Sequence, residues 1–246
     1  MSAPVEAVEA VLPRDPPAPT DAAAAAAVEY LAGWQPPDEE QRALRDLFVA
    51  HLRAHPDGLS RACRSGHITA SAAVLDAPRR RVLLTLHGKI GRWLQLGGHC
   101  EPADTTLAAA ALREACEESA ITGLTLRGGP VNLDLHAVPC GLAAHPVTPA
   151  DADRPTSMAG PAAVTGAPVA VTSRPRADRV GPLGPAGPAG WTWHLDVQFV
   201  AIAPAGAHPI RSDESDDLRW WPVGSLPASA DDALRRLVAR ARAVSG

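Results

Sequence analysis

The sequence predicts an α/β or α+β fold, in which a mixed sheet is covered by helices. Short segments with alternating apolar residues, typical of strands, flank a helix-forming stretch at about residues 106–119. A second helix-forming stretch closes the chain, and two more precede the first strand. Strands interleaved with helices in this order favour a layered sandwich built on one sheet.

Composition limits the classes of partner and compartment. The chain has 246 residues, 46% of them hydrophobic, and a net charge of −4. It therefore lacks the basic field expected of a protein that binds a nucleic-acid polymer. No apolar run approaches the roughly 20 residues of a membrane helix, and the N-terminus is acidic where a signal peptide is basic. With four cysteines and no CxxC pair, we expect a cytoplasmic protein with reduced thiols and no membrane partner.

The N-terminal quarter is predicted to be a helical extension. Residues 1–20 are rich in proline and alanine and are predicted to be disordered. Within the extension at 21–65, the first helix begins with Asp21 as its N-cap. The second helix carries one face with the three- and four-residue spacing of an amphipathic helix. That face consists of Leu44, Leu47, Phe48, His51 and Leu52. These helices would cap the site, form the interface of a homodimer, or pack on the sheet.

Strand signals begin at His67. The segment "HITASAAVLDAPRRRVLLTLH" predicts two strands around a turn at Ala77-Pro78. "WLQLGGHCEPADTT" is a glycine-containing loop that leads into the central helix. "GLTLRGGPVNLDLHAVPC" predicts further short strands.

Residues 144–190 form a Pro/Gly/Ala-rich, low-complexity insertion. Such stretches are unusual inside compact domains, so we expect a flexible segment that projects between two strands. After it, "GWTWHLDVQFVAIAP" predicts a strand by its alternation, and "DLRWWPVGSLP" a short strand and turn. "SADDALRRLVARARAV" predicts a closing helix with Ser229 as its N-cap.

The central helix carries three glutamates within five positions, Glu114, Glu117 and Glu118. Offsets of three and four place them on one face, where like charges cost a few tenths of a kcal/mol per pair. A hard divalent cation reverses this repulsion, because Mg²⁺ and Mn²⁺ prefer oxygen ligands. The alternative is a solvated acidic face, the usual explanation for glutamate-rich helices.

Residues 97–121, "GGHCEPADTTLAAAALREACEESAI", resemble the Nudix box, G-x5-E-x7-R-E-U-x-E-E-x-G-U with U aliphatic. Gly98 matches the first glycine, and Ala115 and Ile121 take aliphatic positions. The R-E-x-x-E-E core is matched by Arg113, Glu114, Glu117 and Glu118. The resemblance implies a Nudix-type α/β/α sandwich with a mixed sheet over residues 66–246, apart from the insertion.

The sequence departs from the box at three points. Asp104 stands at the first glutamate, and eight residues rather than seven separate it from Arg113. The added residue would let the shorter Asp104 still meet the arginine. Ala120 replaces the glycine after the helix, at a cost on the order of 1 kcal/mol if that position needs positive φ. Gly123 is the other candidate for the break.

The resemblance also implies roles for individual residues. Glu114, Glu117, Glu118 and the Gly98 carbonyl would bind Mg²⁺ or Mn²⁺. Arg113 would orient a glutamate by a salt bridge, a use suited to its planar guanidinium. Either Glu117 or Glu118 would help deprotonate the attacking water.

Weaker candidates lie outside the box. Glu214, in an acidic segment near the last strand, would be a further ligand or base, or simply part of a solvated loop. His99 and His194, the latter with Asp196 on its strand, would contact substrate phosphate or be hydrogen-bonded structural residues. Several pairs offer zinc-binding atoms but match no standard zinc spacing, so no zinc site is predicted. These pairs are His99 with Cys100, His136 with Cys140, and His194 with Asp196.

The predicted function is hydrolysis of a diphosphate linkage in a nucleoside diphosphate derivative or similar small molecule. One alternative is a catalytically inactive module of the same fold that binds a ligand or regulates. Another is an enzyme resembling isopentenyl-diphosphate isomerase, for which Cys100 would be the catalytic thiol.

Overall fold

The computed structural model describes residues 21–88, 91–139, 183, 190–213 and 215–244. Predictions for residues 1–20, for almost all of the 144–190 insertion, for Cys140 and for Glu214 therefore lie outside the described residues. Within those ranges, no helix has the length and apolar character needed to cross a membrane. The three described cysteines, Cys63, Cys100 and Cys116, are free thiols.

The described part of the chain contains four helices and eight strands. In order they are α1 (Asp21–Gly33), α2 (Glu39–Ala54), β1 (His67–Leu75), β2 (Arg81–His87), β3 (Arg92–Leu94), β4 (Leu96–His99), α3 (Leu107–Ser119), β5 (Thr125–Leu126), β6 (Asn132–Pro139), β7 (Trp191–Ile202), β8 (Ser215–Pro222) and α4 (Asp232–Ala243).

All eight strands join one mixed sheet. At its centre β1 and β7 run parallel, from the His67–His194 pair to the Leu75–Ile202 pair. The other pairings are antiparallel: β2 and β4 lie against β1, β3 and β8 against β2, and β5 and β6 against β7. The β6–β7 pairing extends to Pro139 opposite Trp191.

Helices cover both faces of this sheet. Successive residues of a strand point to opposite faces, so each strand contributes side chains to both layers. On β1, Ala72 and Val74 pack with α3, whereas Ala73 and Leu75 pack with α4. Every residue of β1 is buried, as expected for a central strand covered on both sides. The predicted α+β sandwich with a mixed sheet is confirmed.

The N-terminal helices pack against β6. Asp38 caps α2 by accepting the Gln41 N–H at 2.9 Å, and Phe48 and Leu52 are buried in the core beneath α2. The Gln41 side chain also bonds the backbone of Leu133 in both directions, at 3.0 and 2.6 Å. Of the three arrangements considered for these helices, packing on the sheet is present, and the homodimer stays a prediction.

Two local predictions were wrong. The N-cap of α4 is Asp231, which accepts the Leu234 N–H at 2.9 Å, and not Ser229. Aspartate caps as well as serine does, and the extended backbone of Asp231 lies directly before the first helical residue. The segment read as a loop also contains β3 and β4. Its glycines serve close backbone approach rather than a turn: a Cβ at Gly97 would lie 2.2 Å from Ser71 Cβ on β1.

Candidate active site

Helix α3 presents the acidic segment at the edge of the sheet. Thr106 caps its start by accepting the Ala109 N–H at 3.0 Å. Ala110, Ala111 and Ala115 are fully buried, so the small side chains let the helix lie close to β1 and β4. The side of α3 that faces β4 also carries Glu114 and Glu118, and Arg113 and Glu117 lie at the edge of that side. The helix therefore fixes four functional groups at once.

Arg113 is the centre of the hydrogen-bond network at this helix. Its Nε and Nη2 donate to the two carboxylate oxygens of Asp104 at 3.1 and 2.9 Å, and Nη2 also donates to the His99 carbonyl at 2.8 Å. Its Nη1 donates to Glu117 at 2.9 Å and to Glu114 at 3.2 Å. These bonds, led by the one to Asp104, raise the pKa of Arg113 further. One guanidinium thus ties the loop before α3 to two helix glutamates.

Two of the glutamates reach the backbone of β4. Glu118 accepts the Gly97 N–H at 3.0 Å. The Glu114 carboxylate lies against Gly98, where a Cβ would be 2.6 Å from its Oε1. Glycine at position 98 therefore leaves the space that the carboxylate occupies. Glu117 is the more exposed of the set, with 58% of its side chain accessible, and it turns toward Arg113.

The carboxylates remain spread in the described part of the chain. No group of three or more His, Cys, Asp or Glu ligand atoms within 4.8 Å of one another includes them there. Burial raises the pKa of Glu114; the Arg113 charge opposes this, and Glu117 and Glu101 add to it. A hard dication would offset this repulsion between negative charges. The carboxylates, together with the Gly98 carbonyl, form a donor set that fits Mg²⁺ or Mn²⁺.

A second polar region lies on the α4 side of the sheet, where strand register aligns buried polar residues in three rows. The rows are His136–His194–His67, Asp134–Asp196–Thr69–His99, and Asn132–Gln198–Ser71–Gly97, read from β6 through β7 and β1 to β4. Most of these side chains are buried. We call this region the polar face.

Asp196 lies at the middle of the polar face and is 3% exposed. Its Oδ1 accepts from Thr69 at 3.1 Å, and its Oδ2 accepts from Ser71, Gln95 and Gln198 at 2.7, 3.1 and 2.8 Å. All four donors are neutral, so they hold the carboxylate in place without cancelling its charge. The polar face is therefore an ordered hydrogen-bond network centred on Asp196.

The polar face contains four histidines, one on each of its strands: His136 on β6, His194 on β7, His67 on β1 and His99 on β4. Burial, and then the neighbouring His99, lower the pKa of His67 to about 4. Burial also lowers the pKa of His194 well below its usual value, with His136, His67 and His99 adding to the shift. Burial also lowers the pKa of His136, but the 2.9 Å hydrogen bond with Asp134 and the charges of Asp134, Asp196 and Asp231 together raise it above its usual value. Two uncharged imidazoles thus lie beside one His–Asp pair.

The structure sorts the predicted site residues into two neighbouring groups. Arg113, Glu114, Glu117, Glu118 and Gly98 meet at the junction of α3 and β4. His194 lies on the polar face together with His99, the residue that follows Gly98 on β4. The predicted role of Glu214 lies outside the described residues. Burial raises the pKa of Cys100 to about 12, which speaks against a nucleophilic thiol and hence against the isomerase alternative.

Sequence reasoning missed most of the polar face. The missed residues are His67, Thr69, Ser71, Asn132, Asp134 and Gln198. A signal was present: each of three apolar segments carries polar residues at every second position, at 67–71, 132–136 and 194–198. Such alternation is normally assigned to a solvated face of a sheet.

Comparisons with known proteins agree with the motif. Residues 66–136 match the model of the NUDIX domain. A search of curated proteins found no match. Similar solved structures include a NUDIX-family hydrolase from Clostridium perfringens, with 19% identity, a TM-score of 0.42, and coverage of 72% of this chain and 95% of that one.

Two further solved structures show a similar degree of resemblance. An Ap4A hydrolase from C. elegans has 13% identity and a TM-score of 0.43, covering 72% of this chain and 95% of that one. The dihydroneopterin triphosphate pyrophosphohydrolase of E. coli has 15% identity and a TM-score of 0.44, covering 70% and 92%. The resemblance in sequence lies in the matched segment, which runs from β1 into β6 and contains all of α3. Residues 66–136 are thus similar to the NUDIX domain.

Proposed function

We propose that this protein is a Nudix-type hydrolase that cleaves a diphosphate linkage in a nucleoside diphosphate derivative or a similar organic diphosphate. The observation that carries the proposal is the junction of α3 with β4. There Glu114 and Glu118 lie against Gly98 and Gly97, and Arg113 anchors the helix edge to the preceding loop. A solvated acidic face would not need side-chain contacts to a glycine backbone.

The proposed metal ligands are Glu114, Glu117, Glu118 and the Gly98 carbonyl. A bound Mg²⁺ or Mn²⁺ would supply charge neutralisation at phosphate oxygens and a lowered pKa for a coordinated water. Gly98 keeps the space next to the backbone open for a carboxylate.

The remaining roles fall to groups of the chain itself. Arg113 is a positioning residue, because its five donor contacts go to protein oxygens around the glutamates. Glu117 or Glu118 accepts the proton of the attacking water. Glu118 is held by the Gly97 N–H, whereas Glu117 is held by Arg113, so the two candidates are fixed by different partners.

The test is a substrate panel with Mg²⁺ or Mn²⁺, covering nucleoside diphosphate sugars, dinucleoside polyphosphates and oxidised nucleotides. We expect turnover of at least one class, and a loss of about 10²-fold or more in Glu117→Gln or Glu118→Gln. Glu39→Gln, at an exposed position in the first turn of α2, is the matched control. Circular dichroism checks that each variant folds.

Two results would overturn the proposal. One is full activity in both glutamate variants. The other is the absence of turnover across the panel while a ligand still raises the melting temperature, the behaviour of a catalytically inactive binding module.

A further inference from the structure

Three histidines from three different strands meet on the polar face. His67 on β1, His99 on β4 and His194 on β7 have ligand atoms that all lie within 4.8 Å of one another. Their ring centroids are 5.1 Å apart for His67–His99, 4.8 Å for His67–His194 and 5.3 Å for His99–His194. We call this set the histidine cluster. No two of its members are close in sequence, so no spacing of histidines along the chain predicts the cluster.

His67 has a buried ring nitrogen that is available to a ligand. The residue is 2% exposed, and its Nε2 has no hydrogen-bond partner among the residues that the structure describes. Its Nδ1 lies 3.4 Å from the Cys63 carbonyl. That contact favours the tautomer with hydrogen on Nδ1, which leaves the lone pair of Nε2 unused. A buried polar atom without a partner is unfavourable, so an ion that accepts this lone pair would complete the site.

We propose that the histidine cluster binds a transition-metal dication, best matched by Zn²⁺, through one nitrogen of each imidazole. Neutral imidazole suits zinc and related metals, whereas Mg²⁺ and Mn²⁺ select the oxygen ligands of the glutamates. Three protein ligands leave a fourth position for a water or a substrate oxygen. The site is distinct from the glutamate site and does not depend on the proposed hydrolysis.

The surroundings of the cluster resemble those of protein metal sites in two respects. A metal-binding histidine usually gives its other ring N–H to a carbonyl or carboxylate, as His67 does toward Cys63. Two buried carboxylates, Asp134 and Asp196, lie in the adjacent row of the polar face. The donors to Asp196 are neutral, so its charge remains available to balance a nearby dication.

The strands also preorganise the ligands. His67 and His194 are register partners on the parallel β1–β7 pair, and His99 sits opposite Thr69, two residues along β1. Tetrahedral zinc with bonds of about 2.0–2.1 Å needs nitrogens about 3.3 Å apart. The ligand atoms are within 4.8 Å of one another, so ring rotations on a fixed backbone would have to close the remaining difference. A phosphate group, by contrast, would need protonated imidazoles, which a buried site disfavours.

The test measures metal directly. The full chain is purified without a metal-affinity step, stripped with a chelator, and titrated with Zn²⁺ and with Co²⁺. We expect one tightly bound equivalent by mass spectrometry of the metal, and the visible absorption of four- or five-coordinate Co²⁺. Glu117→Gln should bind zinc unchanged, which separates this site from the glutamate site. A failure of hydrolysis would leave these readouts intact.

Single variants locate the ligands. His67→Gln, His99→Gln and His194→Gln should each weaken zinc binding by more than the roughly 10–100-fold seen when a ligand loses its hydrogen-bond partner. His208→Gln, at an exposed position outside the cluster, is the matched control. His99 is only partly buried, so His99→Gln keeps the test valid if His67→Gln fails to fold. No stoichiometric Zn²⁺ or Co²⁺, or equal binding by wild type and His99→Gln, would overturn the proposal.

Discussion

Asp104 holds Arg113 through two parallel hydrogen bonds, at 3.1 and 2.9 Å, although it is an aspartate with one more residue between it and the arginine than the Nudix pattern has. The loop forms a turn from Glu101 to Asp104. The Glu101 N–H donates to the Asp104 carboxylate at 2.7 Å, and the Asp104 N–H donates to the Glu101 carbonyl at 2.9 Å. The extra residue and the shorter side chain thus compensate each other geometrically.

Breaking this pair should destabilise the fold. The Asp104 side chain is 7% exposed and that of Arg113 20%, so Asp104→Asn leaves a largely buried guanidinium with a weaker partner. We expect a loss of about 1–3 kcal/mol in the free energy of unfolding, measured by urea denaturation. Glu101→Gln is the control, because Glu101 is 53% exposed and 3.8 Å from Arg113, and should change stability by less than about 0.5 kcal/mol. Equal effects of the two substitutions would contradict this account.

Ala120 stores backbone strain at the end of α3. It has φ 53° and ψ 17°, in the left-handed region that favours glycine, and so the helix ends at Ala120 itself and not first at Gly123. Ala120→Gly should therefore stabilise the protein by about 1 kcal/mol, seen as a higher urea midpoint. Ala26→Gly, at an exposed position within α1, should instead destabilise by a similar amount. A loss of stability in Ala120→Gly would show that this strain is absent.

A side chain at position 98 should impair hydrolysis. In Gly98→Ala the new Cβ would displace the Glu114 carboxylate, which lies 2.6 Å from that position. We expect hydrolysis to fall by about 10²-fold, as for displacements of about 1 Å at a reacting centre. Gly224→Ala is the control, because no atom of the described residues lies within 4 Å of its Cβ position. Substrate turnover is the readout, and unchanged turnover in Gly98→Ala would argue against a role for Glu114.

His67 should make stability dependent on pH. Its pKa is about 4 in the folded chain and about 6.5 when unfolded, so the unfolded chain takes up the proton first as pH falls. The stability contributed by neutral His67 is complete above about pH 6.5 and is lost between pH 6.5 and 4, by up to about 3 kcal/mol. Urea denaturation in the presence of EDTA measures this slope.

The slope should be shallower in His67→Gln, since one of the residues responsible is gone, and His194 should account for part of what remains. In His208→Gln, where the substituted side chain is exposed, the slope should match that of the wild type. Identical slopes in the wild type and His67→Gln would show that burial does not hold this imidazole neutral.

Local rules were enough to predict the helices and the acidic segment. Thr106 and the alanine run fix α3 through capping and propensity, and the R-E-x-x-E-E spacing places its charges on one edge. Glycine misled the reading of residues 93–100, because Gly97 and Gly98 also mark close approach to Ser71 and Glu114. A turn and a tightly packed strand place the same demand on a residue, namely the absence of a Cβ.

Local sequence rules could not predict the polar face. His67 and His194 are neighbours only because β1 and β7 pair in parallel in one register, and a slip of one residue would turn His194 to the opposite side of the sheet. Register between strands distant in the chain is set by the whole core, including Leu195 and Phe199 beneath the helices. A single sequence carries the alternation of polar residues in each strand but not the alignment that brings them together.

The β6–β7 hairpin has a practical consequence for handling this molecule. Pro139 and Trp191 face each other at its open end, so the chain leaves and re-enters the sheet at adjacent points. Closing a loop between fixed ends becomes costlier only with the logarithm of its length. If Leu183, which packs against the core, is kept, the interval between these two residues is therefore a natural place to splice in a fluorescent reporter or to shorten the polypeptide for crystallisation, without changing the glutamate site at β4.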